Sequence, residues 1–408
     1  MAGKRLASLL VAVPLILSLL AVPAGAAGAV GVTIDGTPVR FTGDYGAPFL
    51  DSAGRTQVPF RRTLEVFGCT VSWDNPSRTA WAEKDGVQVA VPIGQPWMTV
   101  NGHRVALDTA AQIRDNRTYL PIRPVLEAFG AYVTWDGEAR QVVVTTGAAL
   151  VRVHFLDVGQ GDAFLVRSGA NALLIDTGNQ DSLLKAALAR QRVGRLDAVA
   201  VTHSDDDHCG SLSVLGDVAP ASALLVPEGL PDCSCKACSE LMAAARTEGL
   251  ADALVELSPG DTVRCGKFSI TVLWPERLAD DGGNADSLCL LASWDGDGDG
   301  AAEWTVLFTG DAEAEQLDQL TDKLPASGVE VLKVGHHGSK KSLDASLAER
   351  LSPKVALIGV GEANRYGHPS QNTLDFLEKT GCATYCSDES GDVVVAFSED
   401  TLTVSTQR

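Results

Sequence analysis

The seven residues from Thr202 to His208 constrain this chain more than any other stretch, because they place two imidazoles and three carboxylates directly after an apolar run. The run at 196–201 predicts a buried strand, and the residues after His208 predict a loop that opens a helix. Loops that follow strands often carry binding sites. The spacing His-x-Asp-x-Asp-His lets alternate side chains point the same way, while Asp207 and His208 turn toward a second position. The stretch therefore predicts a site for two metal ions rather than a solvated acidic loop.

Other predicted strands of the C-terminal half also end in polar turns. Four of these turns lie at 157–162, 176–178, 309–311 and 335–339. Their polar residues are Asp157, Asp162, Asp176, Asp311, His336, His337 and Ser339. A carboxylate such as that of Asp311 can bridge two cations. His368 follows a strand predicted at 355–360, and its imidazole could either donate to a substrate oxyanion or cap a loop.

The N-terminal third contains an internal repeat. Residues 55–74 match residues 117–136 at a constant offset of 62. Each copy predicts a strand, a short helix ended by glycine, and a second strand with Trp-Asp at a turn. A linker is predicted near 145–149. Trp73 and Trp135 are interpreted as core residues rather than as carbohydrate-stacking residues.

The first 26 residues have the charged start and the apolar middle of a signal peptide, with Ala24-Gly25-Ala26 as the expected cleavage site. The apolar run is short for a membrane span, so the mature protein is expected to be soluble, without a transmembrane domain, and secreted or at the cell surface. A retained N-terminal anchor is the alternative. Most of the net charge of −19 falls after residue 148. An acidic surface argues against tight binding of a nucleic-acid backbone that is independent of sequence.

All nine cysteines lie outside the signal segment, which in an exported protein predicts disulfides and at least one thiol that is unpaired or paired between chains. Cys233, Cys235 and Cys238 form the densest group. A local disulfide or simple thiols are favoured here over a structural metal, because a closed zinc site needs four ligands. The acidic segment 294–300 is interpreted as a hairpin turn rather than a calcium loop, since Val306 stands where such a loop has glutamate.

Two parts of the chain resemble known families. The motifs at 155–162, 175–178, 203–208, 309–311 and 333–339 together resemble the metallo-β-lactamase fold, in the variant of the extracellular domain of the ComEC competence protein. This resemblance covers about residues 150–400 and implies an α/β protein, an αβ/βα sandwich with metals at one edge between two sheets. The repeat resembles the copper amine oxidase N-terminal domain-like module. It implies a small accessory α+β domain, with cell-wall attachment as one role. Copper is not implied, because the segment has one histidine and one cysteine. We therefore expect a signal peptide at 1–26, the repeat module at 31–147 and a catalytic domain at 150–408.

The metallo-β-lactamase resemblance also implies a ligand set for two divalent ions. It assigns one metal to His203 and Asp205, the other to Asp207 and His208, and the bridge to Asp311. Either His336 or His337 completes the second metal. The residues expected to support these ligands or the substrate are Asp157, Asp162, Asp176, Asn284, Ser287 and Ser339. No histidine lies between His208 and His336, where the superfamily has one. The resulting oxygen-rich ligation makes manganese a rival to zinc.

The expected function is that of a secreted metal-dependent hydrolase, a phosphodiesterase or nuclease. Asp207 is the expected proton acceptor, His368 the expected assisting group, and single-stranded DNA one candidate substrate. Cleavage of another ester, such as a wall-polymer phosphoester, a lactone or a β-lactam, is the first alternative. A surface-binding protein with a degenerate, non-catalytic second domain is the other.

Overall fold

A computed structural model describes residues 30–84, 86–137, 139–146, 151–169, 171–296, 300–362, 364–398 and 401–408. The predicted signal peptide, most of the predicted linker and the centre of the acidic loop at 297–299 lie outside these residues. Among the described residues, no helix is both long enough and apolar enough to cross a membrane.

The N-terminal domain consists of short strands and two short helices. They are β1 (Gly31–Ile34), β2 (Thr37–Pro38), β3 (Phe49–Leu50), β4 (Thr56–Pro59), α1 (Phe60–Val66), β5 (Thr70–Asp74), β6 (Thr79–Lys84), β7 (Val87–Pro92), β8 (Trp97–Val100), β9 (His103–Ala106), β10 (Gln112–Arg114), β11 (Arg117–Pro121), α2 (Ile122–Ala128), β12 (Tyr132–Asp136) and β13 (Gln141–Thr145). The predicted order of strand, helix and strand is present in both copies of the repeat.

The two copies of the repeat interlock. Strand β1 pairs in parallel with β13, and β4 pairs with β11, so each of these two sheets contains strands from both copies. Strands β5 to β9 form a separate antiparallel sheet. One buried cluster of apolar side chains spans all three sheets. Since a single copy would leave its apolar faces uncovered, the copies depend on each other for a core.

The C-terminal domain alternates strands with helices. Its first half contains β14 (Val151–Phe155), β15 (Phe164–Ser168), β16 (Asn171–Ile175), α3 (Asp181–Arg190), β17 (Ala198–Ala200), α4 (Asp206–Cys209), α5 (Leu215–Val218), β18 (Leu224–Pro227), α6 (Lys236–Thr247), β19 (Leu254–Leu257), β20 (Thr262–Cys265) and β21 (Phe268–Trp274). Its second half contains β22 (Cys289–Trp294), β23 (Trp304–Phe308), α7 (Ala314–Asp318), β24 (Val331–Lys333), α8 (Ala345–Leu351), β25 (Val355–Ile358), α9 (Gln371–Lys379), β26 (Ala383–Cys386), α10 (Ser387–Ser390), β27 (Val393–Phe397) and β28 (Leu402–Thr406).

Two sheets and two groups of helices make four layers. The eight-stranded sheet has the order β19-β18-β17-β16-β15-β14-β27-β28, and the seven-stranded sheet runs from β20 to β26 in sequence order. Phe164 and Phe308, from different sheets, meet in the core between them, with ring centroids 5.4 Å apart. The outer faces pack against α3, α5 and α6 on one side and against α7, α8 and α9 on the other. This arrangement is the predicted αβ/βα sandwich.

The two domains touch through charged side chains. Arg192, at the end of α3, forms an ion pair with Glu127 of α2. Arg167 donates to the Glu127 carbonyl at 3.3 Å, and the Arg152 guanidinium stacks 4.3 Å above the ring of Tyr132. These side chains link the C-terminal sheet to the repeat.

Within the described residues, no two cysteines are joined by a disulfide. This differs from the disulfides expected from the cysteine count of an exported chain. Cys69, Cys265 and Cys289 lie in different apolar clusters, whereas the thiols of Cys233, Cys235 and Cys238 lie within 4.8 Å of one another.

Candidate metal centre

The carboxyl ends of strands from both sheets meet at one edge of the sandwich. Strands β14, β16 and β17 of the eight-stranded sheet end there, and so do β23, β24 and β25 of the seven-stranded sheet. The loops after these strands carry the polar residues that the sequence singles out. Parallel neighbours necessarily end on the same side of their sheet, which is why residues far apart in the chain come together here.

Four buried side chains form the centre of this edge. Asp162, His208, Asp311 and His337 each offer one ligand atom, and these atoms all lie within 4.8 Å of one another. Three of the four stand among the predicted ligands, whereas Asp162 was expected only to support them. Two carboxylates and two imidazoles at this spacing are a donor set that suits a divalent cation.

The two ring nitrogens of His208 face different partners. Nδ1 lies 2.8 Å from Oδ2 of Asp176, and Nε2 lies 3.2 Å from Oδ1 of Asp311. Asp176 is itself held by Thr202, whose backbone N–H and hydroxyl donate to its two carboxylate oxygens at 2.7 and 2.8 Å. A carboxylate that accepts from Nδ1–H leaves Nε2 free of a proton and aimed into the cluster.

The adjacent histidines His336 and His337 point to different places. Both adopt left-handed backbone conformations, with φ of 44° and 50°, which is uncommon for residues other than glycine. His337 is buried, with Nε2 3.1 Å from Asp207 and 3.3 Å from Asp311. His336 is turned outward, and its Nδ1 lies 2.8 Å from Glu313. Of the two histidines that the sequence left open as a ligand, only His337 lies beside Asp207 and Asp311 among the described contacts.

His203 lies beside His208, with ring centroids 4.1 Å apart. Its Nδ1 is 3.3 Å from the hydroxyl of Ser287, which also accepts from the backbone N–H of Asp311 at 2.9 Å. Its Nε2 lies 3.7 Å from the half-exposed carboxylate of Asp205. Ser287 thus lies between His203 and Asp311, and its supporting role stays a prediction.

The carboxylates of the cluster favour positive charge. Burial alone disfavours a charged imidazole, but Asp311 and Asp176 hold the pKa of His208 well above its ordinary value. Burial also opposes the charged form of His337, yet Asp311 and Asp162 raise its pKa to about 10. The pKa of Asp207 falls to about 2, because the hydrogen bond and charge of His337 outweigh its partial burial. Such a field would bind a divalent cation and release protons from the imidazoles.

Buried ring nitrogens without hydrogen bonds provide a test of whether metal ions fit here. Among the described residues, none makes a hydrogen bond with His203 Nε2, His208 Nε2 or His337 Nδ1, although all three atoms are buried. A buried polar atom without a partner is costly, so such atoms usually belong to a site that an ion or substrate completes. The residues present therefore fit a divalent metal.

Sequence reasoning missed two residues of the centre. The ammonium of Lys333 is fully buried, where it pairs with Asp162 and lies 3.1 Å from Asp311. Glu313 orients His336. A lysine inside the apolar strand segment 329–334 was the available signal, because lysine is rarely buried without a carboxylate partner.

The remaining predicted residues lie around the centre or away from it. Asn284 approaches both ring nitrogens of His336 at 3.4 Å. His368 is at the rim, its ring centroid 5.5 Å from that of His336. Ser339 holds its own loop, because its carbonyl accepts from two hydroxyls. Asp157 pairs with Arg408 in a neighbouring cleft, away from the four central residues.

Gly161 explains how the turn at 157–162 reaches the centre. A Cβ atom at this position would lie 2.3 Å from the carbonyl oxygen of Asp207. Its φ of 131° also disfavours other residues. The close approach lets the backbone N–H of Asp162 donate to that same carbonyl at 3.1 Å. Glycine is therefore required here for the two loops to pack.

Two family models match the chain. Residues 33–144 match the family described as "Copper amine oxidase N-terminal domain", and residues 156–233 match the "Metallo-beta-lactamase superfamily". Both resemblances predicted from the sequence are confirmed by these matches.

Curated relatives match over the C-terminal part. "ComE operon protein 3" of Bacillus subtilis is 31% identical over 261 residues, which are 59% of this chain and 32% of that protein. "Recombination protein 2" of Haemophilus influenzae is 29% identical over 63% of this chain and 30% of its own length. "Competence protein ComA" of Neisseria gonorrhoeae is 27% identical over 58% and 30%. The chain thus spans about a third of the length of the curated relatives it matches.

Solved structures with similar arrangements are remote in sequence. The metallo-beta-lactamase fold protein YhfI from Bacillus subtilis has a TM-score of 0.38 at 14% identity, with 59% of this chain and 98% of that chain covered. A diphosphatase from the PhnP family has a TM-score of 0.38 at 11% identity, with 61% and 99% covered.

Proposed function

Because the C-terminal domain is a hydrolase domain of the metallo-β-lactamase superfamily, with copper amine oxidase N-terminal-like sequence before it, we propose that this protein is a metal-dependent phosphodiesterase that cleaves single-stranded DNA. The observation that carries the proposal is the buried cluster of Asp162, His208, Asp311 and His337, together with its hydrogen-bond-free ring nitrogens. Relatives named for competence and recombination over the same domain support a nucleic-acid substrate.

The predicted ligands divide between two ions in the following way. His203 and Asp205 would hold one ion, Asp207, His208 and His337 would hold the other, and the Asp311 carboxylate would be available to both. Lys333 pairs with Asp162 beside these residues and offsets part of their negative charge. Two bound divalent cations, zinc or manganese, would supply activation of water and charge neutralisation at phosphorus. The many carboxylate donors favour manganese.

The protein's own groups orient the reaction. Asp207 is part-exposed and fixed by His337 at 3.1 Å, so its carboxylate can position the attacking water and accept its proton. Attack of the water oxygen on phosphorus breaks one P–O ester bond, and the leaving oxygen needs a proton. His368 stands at the open side of the cluster and can donate to that oxygen or to the phosphoryl oxygens.

A cleft beside the centre offers room for part of a DNA strand. It has a volume of about 730 Å³ and is lined in part by Arg365 and Tyr366. Tyr366 is 73% exposed, and its ring stacks on His368 with centroids 6.0 Å apart. Aromatic faces bind unpaired bases without strict sequence preference. This local surface can bind single-stranded DNA through its bases, although the protein as a whole is acidic.

The test is hydrolysis of bis-p-nitrophenyl phosphate and of labelled single-stranded DNA by the chain without residues 1–26, with manganese or zinc added. Asp207→Ala should abolish cleavage of both substrates. Asp206→Asn is the matched control, because the neighbouring Asp206 is exposed and, among the described residues, its carboxylate accepts a side-chain hydrogen bond only from Asn179. Activity on the small diester alone would transfer the proposal to another ester, such as a wall polymer. No activity with metal fully bound would overturn it.

We also propose that the protein acts outside the cytoplasm and that its repeat module attaches it to the cell wall. The charged and apolar pattern of residues 1–26 supports export. Fractionation of expressing cells and N-terminal sequencing test the first statement. Binding of the full chain to isolated walls, compared with binding of a chain that lacks residues 31–147, tests the second.

A further inference from the structure

A second group of potential metal ligands lies at the start of helix α6. The thiols of Cys233, Cys235 and Cys238 all lie within 4.8 Å of one another, and none is oxidised to a disulfide. Cys238 is buried and the other two are half-buried. The group is distinct from the catalytic cluster, with which it shares no residue.

One backbone oxygen faces all three sulfurs. The carbonyl of Asp281 lies 3.1 Å from the sulfur of Cys235, 3.4 Å from that of Cys238 and 3.5 Å from that of Cys233. In a tetrahedral zinc site with bonds of about 2.3 Å to sulfur and about 2.1 Å to oxygen, the sulfur-to-oxygen edge is about 3.6 Å. The three thiols and the carbonyl therefore already stand close to the corners of such a tetrahedron.

The local backbone supports the anionic form of two of the three sulfurs, those of Cys233 and Cys235. The N–H of Cys235 points at the sulfur of Cys233 at 3.5 Å, and the N–H of Cys238 donates to the sulfur of Cys235 at 3.2 Å. Cys235 is also the N-cap of α6, where helix N–H groups face it. Hydrogen bonds from N–H groups favour the thiolate, which is the form that binds metals.

We propose that Cys233, Cys235, Cys238 and the carbonyl of Asp281 bind one zinc ion in a structural site. Three thiolates select a soft cation, and a tetrahedral site with protein ligands at every position is closed to substrate. The fourth ligand that the sequence lacks is supplied by the backbone. A disulfide would use only two of the three sulfurs and would leave the third facing the carbonyl.

The zinc site would fasten the loop that borders the catalytic cluster. Ser204, which lies between two predicted catalytic ligands, donates both its N–H and its hydroxyl to the carbonyl of Gly282, at 2.8 and 2.9 Å. The sulfur of Cys238 lies 3.4 Å from the same hydroxyl. Downstream, the buried carboxylate of Asp286 accepts three backbone N–H groups from the loop 279–282. Zinc on Asp281 would thus fix Asn284 and the loop of His203 with respect to each other.

The test uses the full chain with its catalytic metals removed by Asp207→Ala/His208→Ala. This variant should retain one zinc ion per chain through gel filtration, and should lose it when Cys233, Cys235 and Cys238 are also changed to serine. Cys382→Ser/Cys386→Ser, placed in the same background, is the matched control and should retain the zinc. Cobalt in place of zinc should show a thiolate-to-cobalt charge-transfer band that only the cysteine-cluster variant lacks.

A measurement on the unmutated protein covers the case in which the serine variant does not fold. A mercurial reagent should release zinc in step with the titration of three thiols. Before the mercurial is added, those three thiols should react slowly with other thiol reagents. The proposal would be overturned if the protein bound no zinc and showed no cobalt band. It would also be overturned if the protein's mass were lower by two hydrogens, which indicates a disulfide. None of these readouts depends on cleavage of a phosphodiester, so the zinc site and the proposed function stand or fall separately.

Discussion

Replacing Asp176 with asparagine tests how the catalytic site is oriented. The Asp176 carboxylate accepts from Nδ1 of His208 at 2.8 Å, and both side chains are buried. An amide that keeps the bond from the Thr202 backbone N–H presents NH₂ to that nitrogen. His208 must then carry its proton on Nε2, the atom that faces Asp311. The wrong ring nitrogen is protonated for metal binding.

Loss of such a supporting hydrogen bond typically weakens metal binding about 10- to 100-fold, or by about 1.4–2.7 kcal/mol. We expect the manganese concentration for half-maximal hydrolysis of bis-p-nitrophenyl phosphate to rise by that factor in Asp176→Asn. The control is Asp217→Asn, since Asp217 is exposed and forms one surface ion pair with Lys185. Unfolding curves in EDTA separate metal binding from stability. Equal half-saturation of Asp176→Asn and the unmutated protein would refute the orienting role of the carboxylate.

Three further predictions concern stability. Lys333→Met removes the ammonium that pairs with the buried carboxylates of Asp162 and Asp311, so urea denaturation in EDTA should show a loss of about 3–5 kcal/mol that added manganese partly restores. Burial and the charge of Arg152 hold the pKa of His154 well below its ordinary value, so below about pH 6.5 the unfolded chain binds a proton that the folded chain does not. The free energy of unfolding should therefore decrease as the pH is lowered, by up to about 1.4 kcal/mol per pH unit from this group. His154→Leu should flatten this dependence of stability on pH. Glu127→Gln removes the ion pair to Arg192 between the domains and should lower the unfolding free energy by about 1–3 kcal/mol in calorimetry.

Each of these predictions has a contrary outcome. An unchanged urea midpoint for Lys333→Met would mean that the ammonium is not needed for stability, because a proton shared by the two carboxylates replaces it in the variant. A pH profile of His154→Leu that coincides with that of the unmutated protein would assign the acid sensitivity to other groups. If Glu127→Gln and the surface variant Asp217→Asn unfold at the same temperature, the ion pair does not stabilise the contact between domains.

Much of the fold could be predicted from local patterns. The apolar runs that became β14, β16, β17, β23 and β24 are flanked by glycine and aspartate, and their ends are visible in the sequence because strand periodicity and turn residues act over a few positions. The repeat was equally visible. What it did not reveal is that β1 pairs with β13, because that pairing joins residues over a hundred positions apart.

The site was predicted in outline and decided in detail by packing. The sequence named both His336 and His337, and their backbone conformations turned only His337 toward Asp311. It placed Asp157 near the metals, whereas the terminal Arg408 draws that carboxylate into the neighbouring cleft. These outcomes depend on backbone direction and on charges brought in from the far end of the chain.

The cysteine group illustrates the same division. The sequence by itself places three cysteines on one short loop, which is one ligand fewer than a closed zinc site needs. The tertiary structure brought the carbonyl of Asp281 to all three, from more than forty residues away. Sequence patterns determine which side chains a segment presents, because neighbouring residues set local conformation. Which groups finally meet is decided by the packing of the two sheets and their loops, since long-range contacts form only when the whole core closes.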